Sequence, residues 1–199
     1  MFFLKIFLFF CGVKTYSFDS QFKAKKMIIV LLGYMASGKT SIGKRIAKQL
    51  DYSFIDLDDF IEDKEEQSVA DLFKNKGEIY FRQLETHYLK ELLKFKDKIV
   101  LSLGGGTPCY SNNMDFILNN QNTKSIFLKA SIPTLTNKLI RKKAKRPLIA
   151  HIETEEKMAE FIGKHLFERT PFYNQAELKV SIDDKSKDEI TKEIISILF

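Results

Sequence analysis

Between Gly33 and Thr40 the chain reads GYMASGKT: one glycine, four residues, then Gly38, Lys39 and Thr40. That spacing lets backbone N–H groups curl around an anion, while the lysine adds a positive charge and the threonine a hydroxyl of the kind that ligates Mg²⁺. The chemistry implied is a grip on a nucleotide, with Lys39 on the β- and γ-phosphates, Thr40 on the metal, and Ala36, Ser37 and Ser41 along the same anion. Two carboxylates follow, Asp56 and Asp58, in YSFIDLD. Three consecutive glycines, Gly104, Gly105 and Gly106, could let backbone approach a ligand closely. Farther on, KLIRKKAKR, from Lys138 to Arg146, is the most basic segment.

The elements around these residues must aim them. Met27 to Leu32 is an uninterrupted apolar run, as expected of a strand covered on both faces of a parallel sheet. After the loop, Ile42, Ile46, Ala47 and Leu50 recur at helical spacing, so a helix starting near Gly38 points its free N–H groups and positive dipole end at the same anion. Tyr52 to Asp58 reads as a second strand whose carboxyl end opens onto the crevice where such sheets bind ligands. Asp58 or Asp59 could equally cap the helix begun by Phe60 and Ile61. Ser68–Lys76 reads as a short helix stopped at Gly77, and Glu78 to about Leu93 as a longer one carrying Arg82 and Glu85 off its apolar stripe. Taken alone, that pair is a surface i,i+3 ion pair of small value. Ile99–Leu103 is a third strand running into the three glycines. Many phosphate-loop enzymes end this strand with a metal-side aspartate, whereas Ser102 stands here, so Asp56 is the nearest substitute.

The remaining pattern gives a helix at Asn112–Asn120, a strand at Thr123–Lys129, helices at Ser131 to about Arg141 and Glu153 to about Arg169, a kink or restart at Thr170–Pro171, a strand at Glu177–Ile182 and a closing helix at Lys185–Phe199. The basic segment has three readings: a solvated charge run, a nucleic-acid patch, or a mobile lid at about 138–152 that brings cations onto phosphates.

The 199 residues fit one α/β domain. Of the formal net charge of +6, residues 1–26 contribute +4, so the rest of the chain does not call for a nucleic-acid partner. Residues 1–26 begin MFFLKIFLFFCGV, too short an apolar run to span a bilayer and without a small-residue cleavage site. They are read as an extension ahead of a single domain at 27–199, with Met27 as an alternative start. Cys11 and Cys109 form no metal-ligand pattern, and a reduced cytoplasmic setting is expected.

Taken in order, the phosphate loop, DLD, GEIYFRQLE, LSLGGG, KRPLI and RTPFYNQAE resemble the shikimate kinase family over Met27–Phe199. The resemblance implies a P-loop three-layer sandwich with five parallel strands in the order 2-3-1-4-5, helices on both faces and a mobile lid. It implies ATP-dependent phosphorylation of the shikimate 3-hydroxyl, with ATP and shikimate as partners, Mg²⁺ as cofactor, and a cytoplasmic monomer without membrane or nucleic acid. Residue by residue, Lys39 and Thr40 match the phosphate lysine and metal ligand, and Asp56 the carboxylate that orients the metal. Asp58 matches the aspartate that holds the acceptor hydroxyl and takes its proton. Arg82 and Arg169 resemble the pair that binds the shikimate carboxylate, beside Gly104–Gly106; Arg146 resembles the lid arginine and Arg141, more loosely, an adenine-side arginine. Members of the family often have glycine where Ala36 stands. A different small-metabolite or nucleoside monophosphate kinase would use the same loop with another acceptor pocket.

Overall fold

A computed structural model describes residues 27–141 and 149–199. Five strands, β1 (Ile28–Leu32), β2 (Ser53–Asp56), β3 (Ile99–Ser102), β4 (Thr123–Lys129) and β5 (Leu178–Ser181), form one parallel sheet in the order β2-β3-β1-β4-β5. The order matches the expectation, and β1 lies in the middle, with Ile28 in register with Ile99 on one side and Thr123 on the other.

Side chains of a strand alternate between its two faces, which is why an unbroken apolar run suits the centre of a covered sheet. Ile28, Val30 and Leu32 pack on one face with α2 (Leu57–Glu65), α3 (Val69–Phe95) and α4 (Asn113–Leu118). Ile29 and Leu31 pack on the other, with α1 (Lys39–Leu50) and α7 (Lys187–Leu198). A third cluster joins Tyr34 of the loop to α5 (Ile132–Ile140) and α6 (Glu155–Tyr173) through Leu135, Leu139, Met158 and Ile162.

Helix α1 approaches the sheet most closely at Gly43, where an added Cβ would lie 2.5 Å from the Phe54 ring and 3.0 Å from Leu31. The expected boundary at Gly77 is present: φ 82 and ψ 171 break α3 into two helical stretches, a conformation that glycine adopts without strain. The second strand is shorter than its sequence pattern, because Asp56 ends β2 and Leu57 already begins α2. At the other end of the chain, Pro171 does not interrupt α6, which runs on to Tyr173. The proline sits in the last turn and forfeits only its own N–H bond, while the fully buried Tyr173 anchors the helix end. Among the described residues no helix is long and apolar enough to cross a membrane.

Candidate active site

The phosphate loop leaves β1 at Gly33, with φ at 141, where a Cβ would meet the Leu128 carbonyl oxygen at 2.8 Å. Gly38, also at positive φ, is the N-cap of α1 and brings no capping side chain, so no N-cap side chain competes for the first N–H groups of that helix. Lys39 folds back over the loop, its Nζ donating to the carbonyls of Gly33 at 2.8 Å and Tyr34 at 3.1 Å. The Ser41 hydroxyl donates to the Gly38 carbonyl. Ser37 is buried beneath the loop, and its hydroxyl has no hydrogen-bond partner among the described residues. Ala36 has φ 64, the left-handed region in which a Cβ is strained. Its place in the loop therefore carries a cost that a glycine there would not.

The acidic side of the site is built by the junction of β2 and α2. Asp56 stands opposite Ser102 in the strand register, so the carboxylate absent from β3 arrives from the adjacent strand. One of its oxygens accepts from the Thr40 hydroxyl at 2.9 Å, and the other accepts the Asp58 N–H at 3.3 Å and caps α2. Asp58 thus lies in the first turn of the helix rather than on the strand, and the cap is Asp56 rather than Asp58 or Asp59. Burial foremost, then the negative charges of Asp56 and Glu85, push the Asp58 carboxyl up to about 7, with Lys39 opposing. A carboxyl in that condition can exchange a proton near neutral pH.

A cleft of about 430 Å³ joins the loop residues Ala36, Lys39, Thr40 and Ser41 to Asp56, Asp58, Gly104 and Gly105. Lys138 and Lys187 also line it. Lys187 was not legible in advance, since a lysine at the start of a surface helix looks like any other. Arg141 is exposed at the C-cap of α5 and is not among the lining residues. Arg146 and most of the basic segment, with its lid reading, lie outside the described residues.

The three glycines do bring the separate candidates together. A Cβ on Gly104 would fall 3.0 Å from an Asp58 carboxylate oxygen and 2.8 Å from one of Glu85. On Gly105 it would lie 3.6 Å from the Arg169 guanidinium, and on Gly106 2.8 Å from that of Arg82. Arg82 is not in a surface ion pair: Glu85 is buried, and its carboxylate accepts from Arg82 Nη1 at 2.7 Å with one oxygen and from the Thr107 hydroxyl with the other. Glu78 takes the Nε and Nη2 donors of Arg82 at 3.2 and 3.0 Å, and the Tyr110 ring lies 4.4 Å from its guanidinium carbon. Arg169, one turn before Tyr173 on α6, lies over the Tyr34 ring. The roles of Glu85, Thr107 and Tyr173 depend on long-range placement, which a linear pattern does not encode.

Mg²⁺ prefers oxygen ligands and is held by one or two carboxylates together with phosphates and water rather than by an all-protein cage. Thr40 and Asp56 fit that demand, being hard oxygen donors already joined to each other beside the phosphate loop. No cluster of three or more His, Cys, Asp or Glu suited to a metal occurs among the described residues.

A parallel sheet with a phosphate loop at its central strand, a buried carboxyl beside that loop and two guanidinia around a glycine turn fit a nucleotide-dependent phosphotransferase of the P-loop class. The family model described as shikimate kinase matches residues 35–199. A shikimate kinase of Flavobacterium johnsoniae is 47% identical over 170 residues, covering 85% of this chain and 98% of that one. Among solved structures, the shikimate kinase of Bacteroides thetaiotaomicron superposes with a TM-score of 0.79 at 34% identity, covering 87% of this chain and 98% of that one. The shikimate kinase of Acinetobacter baumannii in complex with shikimate gives 0.76 at 28% identity, with coverage of 87% and 93%. This chain belongs to the shikimate kinase family.

Proposed function

We propose that the chain transfers the γ-phosphoryl group of ATP to the 3-hydroxyl of shikimate, giving shikimate 3-phosphate and ADP. One observation carries the acceptor side of this reading: Asp58, Arg82 and Arg169 meet at Gly104–Gly106, at the edge of the phosphate-loop cleft. Two guanidinia suit a carboxylate, which they bind through forked, charge-assisted hydrogen bonds. Arg82 presents five N–H donors, of which three are held by Glu78 and Glu85, so the remainder can face the acceptor. Glu78 is half exposed and weakly held, and can yield further donors.

In this reading Lys39 exchanges the loop carbonyls for the β- and γ-phosphates, and Ser37 and Ser41 line the same anion. Asp58 accepts the proton of the attacking hydroxyl. Thr40 and Asp56 would hold Mg²⁺, which when bound offsets negative charge on the phosphate oxygens. The protein's contribution is positioning and charge stabilisation rather than covalent chemistry. Residues 27–199 form the catalytic unit, working as a cytoplasmic monomer without nucleic acid.

The test is ADP release with shikimate, quinate, gluconate and nucleoside monophosphates offered separately. Turnover with shikimate well above the others supports the reading; preference for another acceptor would replace it with a kinase of that metabolite.

A further inference from the structure

We propose that Tyr34, in the phosphate loop, is a positioning residue for the acceptor side, its ring serving as the platform that aims the Arg169 guanidinium at the acceptor carboxylate. The inference rests on the reading that Arg169 binds that carboxylate. Tyr34 follows directly on Gly33, and its backbone belongs to the nucleotide grip, since its carbonyl accepts from Lys39 Nζ at 3.1 Å. Its side chain belongs elsewhere: the ring is buried and packs with Leu135, Leu139, Met158 and Ile162 of α5 and α6. The hydroxyl shares a hydrogen bond of 3.0 Å with Nδ1 of His165, whose own ring packs edge-on against Phe161 with centroids 4.3 Å apart. A ring held both by packing and by its hydroxyl presents its face in one orientation.

Arg169 meets that ring. Its guanidinium carbon lies 5.7 Å from the Tyr34 centroid, within reach of the attraction between a cation and the negative face of an aromatic ring. His165, Arg169 and Tyr173 recur every four residues on α6 and so share one face of the helix. The first is bonded to Tyr34 and the last donates its hydroxyl to the Gly105 carbonyl, so the stretch of helix that carries Arg169 is fixed on either side. The phosphate loop and the glycine turn abut at the same place. A Cβ on Gly105 would lie 3.6 Å from Arg169 Nη1, 3.6 Å from the Met35 amide nitrogen and 3.7 Å from the Gly33 carbonyl oxygen. Holding an arginine still removes much of its rotamer freedom. A guanidinium already seated on a fixed ring loses less of that freedom when the carboxylate arrives, and in this way Tyr34 tightens shikimate binding through Arg169.

The test reads the shikimate and ATP KM separately in variants at position 34. Tyr34→Leu removes the aromatic face and should raise the shikimate KM about three- to tenfold, with the ATP KM within about twofold. Tyr34→Phe keeps the face and should recover most of that loss. In an Arg169→Ala background the leucine substitution should add nothing further, because the ring acts through the guanidinium. An unchanged shikimate KM in Tyr34→Leu, an ATP KM that rises as much, or effects that multiply in the double variant would overturn the inference. If Arg169→Ala alone leaves the shikimate KM intact, the acceptor reading fails and takes this inference with it. Leucine at a buried position can compromise folding, so a second series stays close in shape. Phenylalanines bearing successively more ring fluorines, placed at 34 alone, drain the negative face of the ring with little change of size. The shikimate KM should climb with each added fluorine, and a flat series would overturn the proposal.

Discussion

The carboxyl of Asp58 is drawn up to about 7 by burial first and by Asp56 and Glu85 next, so near neutral pH it is divided between its protonated and ionised forms. The sign of the consequence for stability follows from proton binding. The folded chain keeps this proton at pH values where the unfolded chain has lost it, so the contribution of Asp58 is fully present below about pH 4 and is lost as pH rises through about 7. Asp58→Asn should therefore gain stability relative to the parent at about pH 8 and less at about pH 5, measured by urea denaturation. The same variant should lose about 100- to 10,000-fold in kcat with a small change in shikimate KM, since the hydroxyl is still held but its proton acceptor is gone. In the parent, kcat/KM should fall on the acid side of about pH 7, and this limb should vanish in the variant.

Arg82→Ala and Arg169→Ala each remove charged donors from the acceptor side and nothing from the phosphate loop. Each should weaken shikimate binding by about 1.5–3 kcal/mol per lost charged hydrogen bond and leave ATP binding nearly unchanged, read by separate titrations. Arg82→Ala should also lower stability, because it strands the buried carboxylate of Glu85, whereas no such loss attends Arg169→Ala. Asp56→Asn should raise the Mg²⁺ concentration needed for half-maximal rate more than it raises the shikimate KM. A normal metal titration would remove Asp56 from the metal side.

At the scale of elements, helix α1 is governed by contact at Gly43. Alanine there gains up to about 1 kcal/mol of helix propensity, but its Cβ would sit 2.5 Å from the Phe54 ring, and overpacking of this kind costs about 1–3 kcal/mol. Gly43→Ala should thus be net destabilising in thermal denaturation. Ala36→Gly should do the reverse, relieving about 1 kcal/mol at a left-handed residue. The loop, the central strand and the stop at Gly77 were legible because each depends on near neighbours: glycine spacing, an unbroken apolar run, a residue that tolerates positive φ. Asp58 was placed on the wrong side of a boundary because strand and helix meet there without a turn. Glu85 was misread for a different reason: three residues after Arg82 it has the spacing of an ordinary surface pair, and only the packing of Thr107 and the glycine turn against it decides that it is buried. Proline 171 of α6 shows tertiary anchoring overriding a local breaker.

At the scale of the whole molecule, β1 has no free side. Its flanks are bonded to β3 and β4 and its side chains enter both cores. Amide exchange at Ile29, Val30 and Leu31 should require global unfolding and report the full stability, roughly 5–15 kcal/mol, while loop amides from Tyr34 to Ser37 should exchange by local opening and slow when ATP is added. Equal protection across strand and loop would contradict this picture. The placement of β1 also has a meaning in time. The strand that launches the nucleotide site is made first, but Ile28 pairs with Ile99 and Thr123, so its edges wait for partners far behind it on the ribosome. Nascent chains that end before β3 therefore carry a complete phosphate-loop sequence with neither flank of its strand closed, and those that end before β4 can close one flank only. A strand whose partners lie so far along the chain predicts that nascent chains gain the ability to hold ATP only once β4 has been made, which ATP binding by chains stalled before and after β4 would test.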